Sequence, residues 1–412
     1  MMRIPFLILL FVNALTSQAR VLLVDARKGP FTTLTQALER AASGDTILVN
    51  TGEYCEINLQ VRVPVVILGQ NFPVLDGEGK GEIMTIQSDR VVVEGLVFRN
   101  SGRSSYNDVA ALRLVDCRNV TIRNNQFEKN FFAVYAQHVT ACRIEGNRIE
   151  SDARDEINSA NGIHCWKSDS LHIASNRVTG HRDGIYFEFV THSLVESNLS
   201  YQNVRYGIHF MFSNDDVYRS NQFSDNGAGV AVMYSSRIHM LDNTFSDNWG
   251  SAAYGILLKD ISDGRVEGNR FLRNSVGILM EGSSRLRMQR NLFRSNGWAL
   301  KIQANCADNM ITGNNFQSNS FDVATNGDLV LSRFDRNYWD KYEGYDLNRN
   351  GVGDVPYRPV SLFAMISERN ASVMMLYRSF MATLLDRIEK ILPALTPADM
   401  KDDYPLMRPV QL

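Results

Sequence analysis

Asn221-Gln222-Phe223-Ser224-Asp225-Asn226-Gly227-Ala228-Gly229-Val230-Ala231-Val232-Met233 is followed by Asn243-Thr244-Phe245-Ser246-Asp247-Asn248, the same Asn-x-Phe-Ser-Asp-Asn phrase 22 residues on. Working outward, the first Asn recurs as Asn125, Asn147, Asn176, Asn198, Asn269, Asn291 and Asn314, so the column is spaced 22, 29, 22, 23, 22, 26, 22 and 23. A second column lies five residues later (Asn130, Asn203, Asn226, Asn248, Asn274, Asn296, Asn319), with Asp152 and His181 where the Asn is missing. A third is Gly before alternating apolar residues, as at Gly184-Ile185, Gly207-Ile208, Gly255-Ile256 and Gly277-Ile278. A unit of this length, with three short apolar strands and Asn turns, predicts an all-β, right-handed parallel β-helix. Its coils stack at about 4.8 Å, so like residues form ladders. An Asn in such a turn is expected to adopt the left-handed conformation while its amide bonds to the coils above and below. Leucine-rich repeats share the period, but their Leu framework is absent.

The repeat explains the composition. Length alone, 412 residues, suggests two or three domains. Yet 16 of the 35 Asn fall in the two columns of one solenoid. A net charge of -2 excludes nucleic-acid binding through one broad basic surface. Residues 1–19 read as a signal peptide: a basic start at Arg3, an apolar run Ile4 to Val12, and small residues ending at Ala19. The β-helix is assigned to 20–336, about a dozen coils, beginning under a short capping helix at Thr33 to Ala42. Cys55, Cys117, Cys142, Cys165 and Cys306 have no metal-like spacing and read mostly as small buried hydrophobes.

Candidate chemistry lies on side chains that alternate outward from the Gly-apolar strands. One outward column reads His164, Tyr186, His209, Ala231, Leu257, Leu279; the next reads Trp166, Glu188, Met211, Met233, Lys259, Glu281. His209, Met211 and Met233, with His164 nearby, combine imidazole and thioether, the ligands Cu(I) prefers. They are the candidate copper residues, for transient binding; the alternative is ordinary surface decoration or a partner-contact patch. The extra residues near Ser151–Asn158 and Trp249–Tyr254 either rise along the same edge or are plain drift in coil length. Asp215-Asp216 is the one attractive acid pair, in a turn where it can equally be solvated. The neighbouring turn residues His181, Arg182 and Asp183 could form a site or be a plain loop, and no strong catalytic constellation is present.

Beyond the repeat, 337–360 reads as a loop block closing the last coil. Asp346, Asn348, Asn350 and Asp354 resemble the first half of a calcium loop, but Tyr357 stands where the bidentate acid belongs. A structural Asx-rich loop fits equally. Residues 361–412 read as an apolar helix over Val373–Leu392 and a tail, expected to dock on a partner or else to cover the solenoid end. Met374, Tyr377, Phe380, Met381, Leu384 and Ile388 are the candidate partner-docking residues.

The signal peptide, the Asn-ladder repeat, the block Asn337-Tyr338-Trp339-Asp340 through Pro359-Val360 and the closing Tyr404-Pro405-Leu406-Met407-Arg408-Pro409 together resemble the NosD family. That resemblance implies a non-enzymatic periplasmic accessory protein for maturation of the copper enzyme nitrous oxide reductase. It implies work at the outer face of the inner membrane with an ABC transporter permease and its ATPase, copper received from a lipoprotein chaperone, and presentation to the apo-reductase. It carries no ligand motif, so the His/Met set rests on the strand columns alone. The competing reading is a secreted polysaccharide lyase, hydrolase or carbohydrate-binding β-helix.

Overall fold

A computed structural model describes residues 19–104, 106–327, 331–377, 379–391 and 400–412. The signal-peptide assignment at 1–19 therefore lies, but for its last residue, outside the described residues. Three parallel sheets of 14, 13 and 12 strands run the length of the molecule, here called A, B and C. Sheet A begins at Val21–Val24 and ends at Leu331–Asp335; sheet B runs from Glu53–Tyr54 to Tyr338–Trp339; sheet C runs from Leu59–Val61 to Phe321–Thr325. Each complete coil takes one strand from each, as in Ala228–Met233 (C), His239–Leu241 (A) and Thr244–Ser246 (B). Fourteen coils at one strand spacing give a body about 60 Å long, slightly more coils than the repeat suggests.

The ladders differ from the expectation in one respect. The ladder Asn is not the left-handed residue. Positive φ falls on the residue before it: Asn124, Ser175, Ser197, Ser220, Asp242 and Arg290 in the first column, Lys129, Gln202, Asp225, Asp247 and Arg273 in the second. That placement turns the Asn side chain into the corner of the solenoid, where it is buried. Asn269 Oδ1 there accepts both the backbone N–H (2.9 Å) and the Nδ2–H (3.0 Å) of Asn243, whose Nδ2 also donates to the Tyr218 carbonyl (2.9 Å). The same bonds recur up the first column, so each corner satisfies backbone groups that the turn would otherwise strand. Inside, Phe223, Phe245, Phe271, Phe293 and Phe316 stack at 4.8–5.2 Å and end on Trp339 at 4.1 Å. Four of the cysteines are buried and Cys55 is exposed; all five are free thiols.

Both ends are covered. Helix α1 (Leu34–Arg40), capped by Thr33, buries Leu34 and Ala37 against the first coils. At the other end the Asn ladder runs through Asn337 to Asp402, whose carboxylate accepts Arg336 N–H (3.0 Å), Asn337 N–H (2.9 Å), Asn337 Nδ2–H (3.1 Å) and Trp339 Nε1–H (3.1 Å). The tail expected to extend with the helix toward a partner thus returns to close the solenoid. The expected single helix over Val373–Leu392 is broken, and its last residue lies outside the described ones. A further helix, α2 (Leu362–Arg369), comes first and lays Phe363 and Ala364 on Trp298, Phe321 and Ala324 of sheet C. Asn370 then caps a 3-10 turn at Ala371–Leu376. The Ser379 hydroxyl oxygen accepts Ala382 N–H (3.3 Å), and helix α3 starts afresh at Phe380–Ile391.

Candidate metal-handling site

The outer face of sheet C carries the predicted residues, but its first column is not at the surface. His164 and His209 are 8% and 6% exposed, and Ala231 and Leu257 are also buried. The two long coils cause this. Residues inserted before Ile163–Trp166 bring Ala160 onto Phe132 and Tyr135, and Glu156 to 3.9 Å from Arg205. Residues inserted before Ile256–Lys259 bring Tyr254, whose hydroxyl reaches that of Tyr206 at 3.3 Å. Both insertions do rise beside sheet C, and they converge over the same rungs. Strand alternation reports only which residues leave the solenoid interior; it is silent on what covers them afterwards.

Rings stack up this covered column: Tyr135 to His164 4.5 Å, His164 to Tyr186 4.7 Å, Tyr186 to His209 4.9 Å between centroids. Tyr186 therefore fills the rung between the two imidazoles, and His164 does not share a ligand sphere with His209. His164 Nδ1 instead sits 3.0 Å from Asn161 Nδ2, and Asn161 Oδ1 accepts from Arg182 at 3.2 Å. Burial, assisted by Arg182, pushes the His164 pKa down to about 3, which keeps the ring neutral.

His209, Met211 and Met233 lie on two adjacent strands of sheet C. His209 and Met211 share strand Tyr206–Met211, and Met211 is in register with Met233 on the next strand. Both methionines are half-buried at the edge of the covered zone. The Tyr186 hydroxyl, held protonated by burial that lifts its pKa to about 12, donates to Met211 Sδ at 3.6 Å. His209 Nε2 is buried with no hydrogen-bond partner among the described residues. Beside it, Asp183 is fully buried and takes two bonds from Arg205, Nε to Oδ1 at 3.0 Å and Nη2 to Oδ2 at 2.6 Å. Burial opposes the Asp183 charge, but hydrogen bonds from His209 and Arg205 outweigh it and hold the pKa below the ordinary carboxylate value. The sequence marks Asp183 only as one of a possible turn trio with His181 and Arg182, and it does not mark Arg205, because both precede the Gly-apolar strands and look like turn residues.

Among the described residues no group of three His, Cys, Asp or Glu is placed to hold a metal. In the candidate calcium loop, Asp346 accepts from the N–H groups of Asn350 (3.1 Å) and Gly351 (2.8 Å), Asn348 from Asn350 (3.0 Å), Asn350 from Val352 (2.8 Å) and Asp354 from Leu347 (2.6 Å). Asn348 and Asn350 thus close Asx turns, and Asp346 and Asp354 bind more distant backbone N–H groups of the same loop. Asp215 and Asp216 are separated: the first pairs with Arg237 in solvent, and the second points into the core. Of the docking set, Met374 and Tyr377 pack inward, Tyr377 at 5.3 Å from Phe321, whereas Phe380, Met381 and Leu384 are exposed beside Met375 and Leu376. Ile388 is half-buried. None of the described helices is long and apolar enough to cross a membrane.

Residues 151–351 match the family described as periplasmic copper-binding protein (NosD), and 24–226 match a domain of unknown function, DUF1565. The chain is 29% identical to a probable ABC transporter binding protein NosD of Pseudomonas aeruginosa, over 81% of this chain and 82% of the relative. It is 26% identical to the protein of that name in Stutzerimonas stutzeri, over 87% and 85%. In fold it resembles the catalytic unit of a GH87 α-1,3-glucanase from Streptomyces thermodiastaticus (TM-score 0.59, 11% identity, 74% of this chain and 65% of that one). It also resembles the Dettilon tailspike protein (TM-score 0.57, 12% identity, 71% and 66%). At such identities the likeness is one of architecture only.

Proposed function

We propose, for this NosD homologue, a non-enzymatic periplasmic role: with an ABC transporter, it delivers or presents copper to apo nitrous oxide reductase. Copper is cargo here, received as Cu(I) from a lipoprotein chaperone and passed on. The observation that carries the reading is the unpartnered, buried Nε2 of His209, on the same strand as Met211, which is in register with Met233 on the next. A buried imidazole nitrogen without a partner costs free energy unless something fills its valence. Cu(I) fits, because it accepts imidazole and thioether and tolerates low coordination numbers. Few, soft ligands at the edge of a covered face also suit an ion that must leave again. His164, two rungs away behind Tyr186, is outside this ligand set.

The exposed apolar strip Met375, Leu376, Phe380, Met381 and Leu384 is the proposed contact with the transporter permease at the outer face of the inner membrane. The relatives' naming as ABC transporter binding proteins supports that partner.

The carbohydrate alternative has one feature in its favour, an exposed ladder of Phe189, Phe212 and Tyr234. Their rings, however, stack on one another at 5.1 Å and 10–14°. Stacked rings present edges outward, while sugar binding needs free faces. To test the copper reading, Cu(I) affinity of the His209→Ala/Met211→Ala/Met233→Ala variant is compared with the parent under reducing conditions. The expected result is a loss of at least tenfold together with lost reductase maturation. Parent-like affinity and maturation would eliminate the ligand set.

A further inference from the structure

His209 Nδ1 has two neighbours that ask opposite things of it. Asp183 Oδ2 lies 3.5 Å away and can only accept a proton; Arg205 Nη2 lies 3.3 Å away and can only donate one. A neutral imidazole has one N–H, so each neighbour selects a tautomer. If Nδ1 accepts from Arg205, the proton sits on Nε2 and that nitrogen has no lone pair for a metal. If Nδ1–H donates to Asp183, Nε2 carries the lone pair. Asp183 is held for this purpose by the two short bonds from Arg205 and by Tyr206 N–H at 3.3 Å. The rings of Tyr186 and Tyr206, each 4.9 Å from the imidazole centroid, prevent it from rotating away.

We infer that buried Asp183 and its half-exposed partner Arg205 are the positioning device for His209: by accepting from Nδ1–H, Asp183 makes Nε2 the nitrogen offered to Cu(I), and Arg205 stabilises the Nε2–H tautomer when copper is absent. This rests on the copper reading above. It assigns roles to two residues outside the ligand set and explains why a charged pair sits on a surface otherwise filled by rings. The arrangement is the general one by which a carboxylate behind a ligating imidazole fixes its tautomer and orientation. It also explains the insertions chemically: Glu156 faces Arg205 and Tyr254 holds Tyr206, so each long coil supports one wall of the imidazole pocket.

The test uses the full mature chain labelled with 15N-histidine. Two-bond 15N–1H spectra, assigned with His209→Ala, should show Nδ1 protonated and Nε2 the nitrogen shifted when Cu(I) is added. Asp183→Asn should weaken Cu(I) binding about 10–100-fold in competition with a chelator, with the thioether ligands untouched. If Asp183→Asn does not fold because Arg205 is left unpaired, the Asp183→Asn/Arg205→Gln variant removes both charges and should show the same loss. A folded variant with parent affinity, or Cu(I) shifting Nδ1 instead of Nε2, overturns the inference. If His209→Ala also binds like the parent, or the parent binds no Cu(I), the ligand reading has failed and takes this inference with it. Loss in His209→Ala with parent affinity in Asp183→Asn sinks only the positioning role.

Discussion

Asp216 sits where the repeat expects an apolar or small corner residue, and it is fully buried. Its Oδ1 accepts Ser193 N–H at 2.8 Å and its Oδ2 faces the Tyr218 hydroxyl at 3.2 Å. Burial dominates these bonds and lifts its pKa from 3.8 to about 8. A carboxyl whose pKa is higher folded than unfolded leaves stability intact below about pH 4 and erodes it as pH rises toward 8. Asp216→Asn keeps the Ser193 acceptor and can donate to Tyr218 without titrating. Every tenfold difference in proton affinity between the folded and unfolded chains corresponds to about 1.4 kcal/mol. On that scale the variant should be more stable by at least about 2 kcal/mol at pH 8 and equal at pH 4. Unfolding midpoints at the two values check this; a gain independent of pH would refute it. His181 has the opposite sign. It stands in the second Asn column, fully buried, with Nε2 unpartnered among the described residues and its pKa pushed down to about 4 by burial. A base with a lowered folded pKa stabilises above pH 6.5 and loses that contribution as pH falls toward 4. His181→Asn restores the ladder amide, and its expected gain is about 1 kcal/mol at neutral pH with a flatter acid limb in thermal melts. Neither residue announces its burial in the sequence. Asp215-Asp216 reads as a solvated turn, and only the left-handed turn at Asp215 sends one carboxylate out and the next in.

At the scale of elements, the strands and corners are legible because periodicity is local: the Asn, Gly and apolar columns each mark one position of a coil. The C-terminal helices are less so. The apolar stripe across 373–392 has helical spacing, but the cap at Ser379 lies outside any period, and it cuts the stripe into a 3-10 turn and a separate helix. The split divides the docking candidates into two kinds, which mutation can separate. Tyr377→Ala removes a ring packed on Phe321 and Phe363 and should cost about 1–3 kcal/mol in denaturant unfolding. Phe380→Ser/Met381→Ser touches exposed side chains and should leave stability within about 0.5 kcal/mol. If this strip is the permease contact, that second variant loses co-purification with the transporter while Tyr377→Ala, once folded, retains it. A double serine variant that still assembles normally would move the contact elsewhere on the molecule.

The whole molecule is a one-dimensional stack, so its stability is a sum of coils and neighbour interfaces, and its ends are where it can open. The N-terminal end is foreseeable, since a helix pattern at 33–42 follows the first apolar run and can fold over it. The C-terminal end is not, because the residue that completes the Asn ladder arrives from 65 positions away and is an Asp. No period connects Asn337 to Asp402; only the folded tail does. That carboxylate accepts from three backbone or side-chain groups of the last coil and from the Trp339 indole, which also terminates the aromatic stack. Asp402→Ala leaves all four donors without an acceptor in a buried corner, at a cost of about 1–3 kcal/mol for each that finds no water. In a nearest-neighbour stack the damage should stay local. Amide hydrogen exchange should accelerate across 331–339 and the preceding coil at 307–317, while 121–150 keeps parent protection. Asp402→Asn, which preserves an acceptor and mimics the ladder, should recover most of the loss. Uniform acceleration along all coils would mean that the solenoid unfolds as one unit, and the tail would then be a global clamp and not an end cap. The distinction bears on function, because α2 and the apolar strip hang on the same terminal coils through Phe363 and the Lys301–Glu368 pair at 2.5 Å. A frayed end would therefore displace the proposed transporter contact while leaving His209, Met211 and Met233, several coils away, able to bind copper.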